Sequence, residues 1–256
     1  MSAEGGLMSE DALLDGKLVL RQPVRGHRFG HDAVLLAAAT AAWPGEHAIE
    51  LGAGVGAAGL ALARRVEGLT LTLVEIDPAL TELARENAAR NALGERVRAV
   101  CLDVGSQAAE FTAAGLAAGS ADHVLMNPPF NATQNPSPVL ARRLARSSSD
   151  ETLALWLRAA AWLLRPLGTS TLIWRADGLS DVLTAVTAAE FGAIVVLPVY
   201  PKPEAPAIRV LVRGVKGSRA PLTLLPGLVL ADADNRPTKQ VGAVLREGAA
   251  LLMSGS

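Results

Sequence analysis

Residues 50–63, ELGAGVGAAGLALA, mark the point where a buried strand gives way to a helix. The apolar run HAIEL at 47–51 predicts the strand, and the Ala- and Leu-rich run at 57–66 predicts the helix. Glycines at 52, 54 and 56 allow the chain to turn tightly and a ligand to approach the backbone closely. The start of a helix also favours a negatively charged group. The stretch therefore predicts a strand–loop–helix unit with a binding site at its loop.

On both sides of this loop, short apolar runs alternate with helical stretches, which is typical of βαβ units and a mostly parallel sheet. Asp77 and Asp150 precede two of these helices, so we expect each of them to be an N-cap. Two late apolar runs are separated only by PKPEAP, which is too short for a crossover, so they should pair antiparallel at the sheet edge. The sequence thus predicts an α/β, Rossmann-like fold with a seven-stranded, mostly parallel sheet and an antiparallel edge hairpin. The expected strands are 47–51, 69–76, 96–104, 121–126, 169–175, 192–199 and 207–214, and the expected helices are 57–66, 77–93, 107–116, 150–164 and 179–190.

Polar residues follow three further strands at the point where each is expected to end. Glu75 ends the second strand, where a carboxylate can accept hydrogen bonds from both hydroxyls of a ribose. Asp103 ends the third strand and can accept from an exocyclic adenine amine, although a turn cap explains it equally well. The fourth strand runs into NPPF at 127–130, and a central strand does not tolerate proline. Because ligands of open α/β sheets lie across these strand ends, the four positions predict one site.

Composition narrows the possible classes of protein. The chain has 256 residues, half of them hydrophobic, and a formal net charge of −1. Its apolar runs stay well short of the roughly 18 residues that a membrane span needs, and its N-terminus lacks the pattern of a signal peptide. The single cysteine, Cys101, fits a reducing cytoplasm, and four histidines without metal-ligand spacing predict no metal. We expect an N-terminal extension at 1–24 and a single domain at 25–256 with its motifs in 25–215; the oligomeric state is left open.

The glycine pattern, Glu75, Asp103 and NPPF together resemble the class I S-adenosylmethionine-dependent methyltransferases. Within that class, N-P-P-[YF] marks enzymes that methylate a planar nitrogen. RGHRFGHDAVLLAAA at 25–39 is similar to the N-terminal cofactor motif of the bacterial tRNA(Val) adenine-N6 methyltransferase family. The resemblance implies S-adenosylmethionine as cofactor and an adenine N6 of RNA, in particular of tRNA, as methyl acceptor. The implied catalytic residues are Asn127, Pro128, Pro129 and Phe130, and the implied cofactor contacts are Phe29, Asp32, Glu50, Gly52, Ala53, Gly54, Gly56, Glu75, Ile76, Asp103, Val104 and Asn127.

The chemistry of adenine N6 explains why NPPF would suit this reaction. The nitrogen lone pair is delocalised into the ring, so the amine needs acceptors that hold its two hydrogens and favour sp³ character. The Asn127 side-chain oxygen and the Pro128 carbonyl supply such acceptors, and the prolines hold them in place because their φ is restricted. Phe130 would stack on the extruded base.

Arginines on either side of the catalytic turn predict contacts with RNA phosphates. Residues 131–149 are too many for a plain connector and contain Arg142, Arg143 and Arg146. Arg25 and Arg28 would approach from the other side of the same cleft. Such contacts position a strand without reading its sequence.

Three other functions compete with this interpretation. Gly54, Gly56 and Gly59 also match the loose pattern GxGxxG of nicotinamide-dependent dehydrogenases, but that function leaves NPPF unexplained. A protein glutamine-N5 methyltransferase needs the same acceptors as an adenine methyltransferase, because its substrate is also a planar nitrogen. That family usually carries an N-terminal helical domain, whereas only 49 residues precede Glu50 here. A non-catalytic cofactor- or RNA-binding module is disfavoured by the presence of Asn127.

Overall fold

The computed structural model describes residues 8–24, 30–129 and 149–253. They form a nine-stranded mixed sheet and a separate two-stranded hairpin. The strands are β1 Met8–Leu13, β2 Leu18–Pro23, β3 His47–Leu51, β4 Thr70–Glu75, β5 Val97–Cys101, β6 Ala121–Met126, β7 Leu164–Arg175, β8 Phe191–Tyr200, β9 Arg209–Lys216, β10 Thr223–Leu224 and β11 Leu228–Val229. The helices are α1 His31–Ala39, α2 Ala57–Arg65, α3 Pro78–Arg90, α4 Ala108–Ala113, α5 Ser149–Leu163, α6 Leu179–Ala188 and α7 Lys239–Gly242.

The sheet has the strand order β10-β8-β9-β7-β6-β3-β4-β5, with β11 also paired to β8. The strands from β5 to β7 run parallel, and β9 lies antiparallel between β7 and β8. The predicted α/β class and the antiparallel edge hairpin are therefore confirmed. The predicted count of seven strands is wrong, because β10 and β11 extend the sheet. Each of these two strands contains only two residues, which is too few to show an alternating pattern.

Helices cover both faces of the sheet, and each face has its own hydrophobic cluster. One cluster joins the sheet to residues of α1, α2 and α3, and it includes Leu36 and Leu60. The other joins the opposite face to α4, α5 and α6 through residues such as Phe111, Leu157 and Val182. A parallel sheet needs this double cover because both of its faces are apolar.

The strand order places a crevice beside β3. From β3 the chain moves outward through β4 to β5, then crosses back to β6 and continues in the opposite direction to β7. The order therefore reverses between β3 and β6, and ligands of open α/β sheets bind outside the carboxyl ends of strands at such a switch point. The glycine-rich loop follows β3, and NPPF follows β6.

Helix α3 begins as its sequence predicts. The Asp77 carboxylate accepts from the backbone N–H groups of Ala79 at 2.9 Å and Leu80 at 3.3 Å, and Pro78 is the first helical residue. This cap is confirmed, and it satisfies donors that have no partner inside the helix.

Two other element boundaries differ from the prediction. Asp150 lies within α5, which already includes Ser149, so the expected cap at Asp150 is wrong. The stretch RPLG at 165–168, expected to separate helix from strand, belongs to β7. The ladder between β6 and β7 shifts register near Ala121, which accommodates Leu167 at a φ of 64° inside the strand.

The chain on either side of the predicted motif-bearing core packs against that core. The hairpin β1–β2 lies on α3, with Leu18 and Leu20 fully buried. Near the other end, a π-helical turn at Ala243–Glu247 contacts α1, and the Leu251 N–H donates to the Ala38 carbonyl at 2.8 Å. Within the described part of the chain, no helix combines the length and apolar character that crossing a membrane requires.

Candidate active site

The register of the sheet places three candidate residues in one row at its carboxyl edge. Leu51 pairs with Met126 on one side and with Val74 on the other. The next residues along these strands are Gly52, Asn127 and Glu75, so Gly52 lies between the other two. Neighbouring strands are about 4.8 Å apart, so Asn127 and Glu75 stand roughly 10 Å from each other across the glycine-rich loop.

Two glycines of the glycine-rich loop have a positive φ but different surroundings. At Gly52, where φ is +65°, an added Cβ would lie 2.2 Å from the Trp156 ring, so α5 packs directly on the loop. At Gly54, where φ is +55°, an added Cβ would meet open space. Gly52 is therefore required for internal packing as well as conformation, whereas Gly54 leaves the loop accessible from the crevice. The contact with Trp156 could not be read from the sequence, which indicates only that this residue faces the core.

Glu75 is buried and connects the loop to α3. Its carboxylate accepts from the Gly54 N–H at 2.8 Å and from the Asp77 N–H at 2.9 Å. Burial raises the pKa of Glu75, and these backbone hydrogen bonds oppose that rise. A carboxylate offers about four acceptor positions, so both oxygens retain capacity for a ribose after these two bonds.

Glu50 lies in β3, directly behind the loop. Its carboxylate accepts from the Gly59 N–H at the start of α2 at 2.7 Å. Burial is the largest influence on this group and raises the pKa of Glu50 to about 8; the bond from Gly59 opposes the rise and the charge of Glu75 adds to it. Glu50 is therefore mostly protonated at pH 7 in the ligand-free protein. A cationic ligand group nearby would favour its ionised form.

A side-chain acceptor, the amide oxygen of Asn127, lies just beyond the end of β6. The Asn127 Oδ1 atom is buried and receives no hydrogen bond from any residue that the structure describes. Pro128 is buried and Pro129 is half-buried, so the turn that carries Asn127 is packed against the protein. Buried amide oxygens are normally satisfied, so an unsatisfied one at this edge of the sheet is a reason to expect a donor from a ligand.

The candidate residues beside β4 and β5 lie at the far end of the row. Asp103 stands two residues beyond the end of β5, and its Oδ1 accepts from the Gly105 N–H at 2.7 Å. This bond is the turn cap that the sequence allowed as an alternative. Ile76 is half-buried after β4, and Val104 is buried within the core. Glu75 pairs with Cys101, so Ile76 and Asp103 lie just beyond the ends of two neighbouring strands at the same edge.

Asp32 has an ion-pair partner that sequence reasoning missed. The Arg209 Nε atom lies 2.9 Å from its Oδ2, and each side chain is about one quarter exposed. Asp32 is in the first turn of α1, where a carboxylate is favoured by the helix dipole. Because Arg209 opens β9, the pair connects the predicted cofactor motif to the antiparallel strand. The other candidates, Arg25, Arg28, Phe29, Phe130, Arg142, Arg143 and Arg146, lie outside the described residues.

These features fit the cofactor that the resemblance implies. The positive φ and open face of Gly54 suit close approach of a ligand, and Glu75 beside it retains acceptor positions for hydroxyl groups. Glu50 can become anionic near an ammonium or sulfonium group. Among residues 8–24, 30–129 and 149–253, no group of three or more His, Cys, Asp or Glu side chains is arranged to hold a metal ion.

The known proteins to which this chain is similar include methyltransferases. Residues 30–154 match the family model described as methyltransferase small domain. The tRNA1(Val) (adenine(37)-N6)-methyltransferase of Porphyromonas gingivalis is 31% identical over 163 residues, which cover 60% of this chain and 61% of that relative. The ribosomal RNA large subunit methyltransferase G of Pseudomonas paraeruginosa is 41% identical over 113 residues, covering 43% of this chain and 28% of that relative. The chain thus spans about three fifths of the length of the first of these relatives.

This chain is also similar to solved structures. A predicted O-methyltransferase from Agrobacterium tumefaciens is 29% identical with a TM-score of 0.73, and the match covers 86% of this chain and 98% of that one. TrmN from Thermus thermophilus, 21% identical with a TM-score of 0.51, shares the fold. Residues 30–154 of this protein therefore resemble the methyltransferase small domain, and the described residues share the Rossmann-like α/β fold of these solved structures.

Proposed function

We propose that this protein transfers a methyl group from S-adenosylmethionine to the exocyclic N6 of an adenine in tRNA. The observation that carries the proposal is the buried Asn127 Oδ1, which has no hydrogen-bond partner among the described residues and belongs to the same row as Gly52 and Glu75. The named activity of the Porphyromonas gingivalis relative supports the choice of adenine N6. Relatives named for tRNA and for ribosomal RNA both support RNA as the substrate class.

The proposed roles follow from what each residue can donate or accept. S-adenosylmethionine supplies a methyl group bonded to a positively charged sulfur. Asn127 Oδ1 and the Pro128 carbonyl would accept the two amine hydrogens, which favours sp³ character and localises the lone pair on the nitrogen. The nitrogen would form its bond to the methyl carbon as the bond from that carbon to sulfur breaks, leaving a neutral thioether, and it would then lose one proton to water. Pro128 and Pro129 hold these acceptors before the substrate arrives, so little reorganisation is needed during transfer. Phe130 stacks on the base, and Glu75 holds the ribose of the cofactor.

RNA would be held by charged residues around this turn. Arg25 and Arg28 precede α1, and Arg142, Arg143 and Arg146 precede α5. In the chain, Arg25 and Arg28 lie within the predicted cofactor motif at 25–39, and the other three arginines follow the catalytic turn. We propose that they contact phosphates, so binding of RNA should weaken as salt is added. A near-neutral protein can bind RNA in this way if its positive charges are concentrated on one side.

Two other groups could accept the methyl group in place of an adenine amine. A glutamine side-chain amide presents the same planar nitrogen to Asn127 and Pro128. A hydroxyl acceptor, which the name of the Agrobacterium tumefaciens protein suggests for that protein, needs a group that removes its proton. Asn127 cannot act as such a base because an amide does not titrate, so the turn favours a nitrogen acceptor. A dehydrogenase is disfavoured because β9 interrupts the parallel order of a dinucleotide-binding sheet.

The proposal is tested by identifying the methylated group. Purified protein is incubated with methyl-labelled S-adenosylmethionine and, separately, with tRNA, ribosomal RNA and a release factor, and each product is digested. We expect label in N6-methyladenosine from tRNA. A matched stem-loop with purine riboside in place of the target adenosine lacks the amine and should take up no label. Label in glutamine of the release factor, or on a ribose or other hydroxyl, would contradict the proposal.

Replacing Glu75 by Gln should weaken cofactor binding. The amide has only one acceptor oxygen, so it cannot serve Gly54, Asp77 and two ribose hydroxyls together. We expect a loss of roughly 1.5–3 kcal/mol in the binding of S-adenosylhomocysteine, measured by calorimetry, which is the value of hydrogen bonds to a charged group. The matched control is Glu82→Gln on the exposed side of α3, which should bind normally. An unchanged affinity in folded Glu75→Gln would contradict the proposed ribose contact.

A further inference from the structure

Asn87 on α3 joins two segments that are far apart in the chain. Its side chain is fully buried. The Oδ1 atom accepts from the Arg21 N–H at 2.8 Å, and Nδ2 donates to the Arg21 carbonyl at 3.0 Å. Nδ2 also donates to the Val55 carbonyl of the glycine-rich loop at 3.1 Å. Both N–H bonds of the amide are therefore used, one towards the hairpin and one towards the loop.

Asn91, one helical turn further on, repeats only half of this arrangement. Its Oδ1 accepts from the Val19 N–H at 2.9 Å, and its Nδ2 donates to the Val19 carbonyl at 2.8 Å. Its remaining bond, of 2.8 Å, is to the Asn87 carbonyl on the same helix. The two asparagines thus hold β2 against α3 as a neighbouring strand would, and of the two it is Asn87 that reaches Val55.

The bond to Val55 adds to the hydrogen bonds that hold the loop. The N–H groups of Ala53 and Gly56 donate to the carbonyls of Val74 and Ala53 at 2.9 and 2.8 Å. The Gly54 N–H donates to Glu75. These three bonds hold backbone N–H groups of the loop, whereas the bond from Asn87 holds the Val55 carbonyl. A buried carbonyl that loses its donor costs free energy, so removing Asn87 gives the loop a reason to change shape.

Through its bonds to Arg21, Asn87 also holds strand β2, which precedes the predicted cofactor motif in the chain. Strand β2 ends at Pro23, two residues before the predicted cofactor motif at 25–39 begins. We propose that Asn87 is a positioning residue, which holds the glycine-rich loop in its cofactor-binding shape and ties that loop to the end of strand β2. This inference rests on the proposed function, because it assumes that the loop holds S-adenosylmethionine.

The experiment compares Asn87→Ala with Asn91→Ala. Both variants remove one buried or part-buried amide and its bonds to β2, but only the first frees the Val55 carbonyl. Calorimetry with S-adenosylhomocysteine should show a Kd about tenfold higher in Asn87→Ala, and within about twofold of wild type in Asn91→Ala. A second measurement needs no variant. In the wild-type protein, S-adenosylhomocysteine should slow hydrogen exchange of the Arg21 amide, held by Asn87, more than that of the Val19 amide, held by Asn91.

The outcomes separate this inference from the proposed function. Equal weakening of binding in both variants would assign the effect to the stability of the hairpin and overturn the inference, as would a wild-type Kd in Asn87→Ala. Equal slowing of the Arg21 and Val19 amides would overturn it even if Asn87→Ala does not fold. A wild-type protein that does not bind S-adenosylhomocysteine would contradict the proposed function, and the inference with it.

Discussion

Asn127→Ala is expected to lower the rate of methyl transfer by about 10²–10³-fold, the range found when one preorganised hydrogen-bonding group is removed from an active site. The Asn127 Oδ1 is buried and has no hydrogen-bond partner among the described residues, so its acceptor positions are available to an amine. Removing it leaves one hydrogen of that amine without an acceptor, so the nitrogen stays planar and its lone pair stays delocalised into the ring. Single-turnover rates with saturating S-adenosylmethionine and RNA measure this loss directly.

The loss should appear in the rate rather than in binding of the cofactor. We expect the Kd of S-adenosylhomocysteine in Asn127→Ala to stay within about threefold of wild type, because Gly54 and Glu75 are unchanged and each single neutral hydrogen bond contributes little. Asn91→Ala makes the same truncation outside the switch-point crevice and should keep the wild-type rate. A folded Asn127→Ala protein with a rate within tenfold of wild type would exclude the proposed acceptor role.

Glu50→Gln is expected to remove a large pH dependence from the stability of the ligand-free protein. Burial raises the pKa of Glu50 from 4.5 to about 8, so between these values the folded protein binds more protons than the unfolded chain. The wild type therefore loses stability as the pH rises through this window, and the loss levels off above about pH 8. Between pH 5 and pH 8 the difference amounts to about 3 kcal/mol.

Glutamine preserves the structure while it removes the titration. Its side-chain oxygen can still accept from the Gly59 N–H, which in the wild type donates to Glu50 at 2.7 Å. Urea unfolding of both proteins at pH 5, 6.5 and 8 should show the variant gaining stability relative to wild type as the pH rises. Glu82→Gln, an exposed change of the same kind, should show no such trend. A constant difference between wild type and Glu50→Gln across this range would show that Glu50 titrates normally.

The short-range features of this protein were determined by the sequence alone. Asp77 and Pro78 start α3 where predicted, since a cap depends on contacts within one turn. The prolines after Met126 end β6 because they cannot donate to the ladder. The glycine-rich loop and Glu75 follow their strands as the alternation of apolar runs indicates. Because parallel strands of one sheet share a carboxyl edge, these local predictions were sufficient to place the candidate residues on the same side of the protein.

Contacts between distant segments were decided only by the tertiary structure. The strand order makes Gly52 the neighbour of both Asn127 and Glu75, and the sequence carries no periodic signal for that order. The same is true of the ion pair between Asp32 and Arg209. Burial of Glu50 between the loop and α2 raises its pKa. The sequence shows that a carboxylic acid lies on this strand but not how completely the folded protein excludes water from it. The role of Asn87 could not be predicted from the sequence either. The pattern of α3 indicates only which apolar residues face the core, and the partners of Asn87 are backbone groups, which every residue possesses.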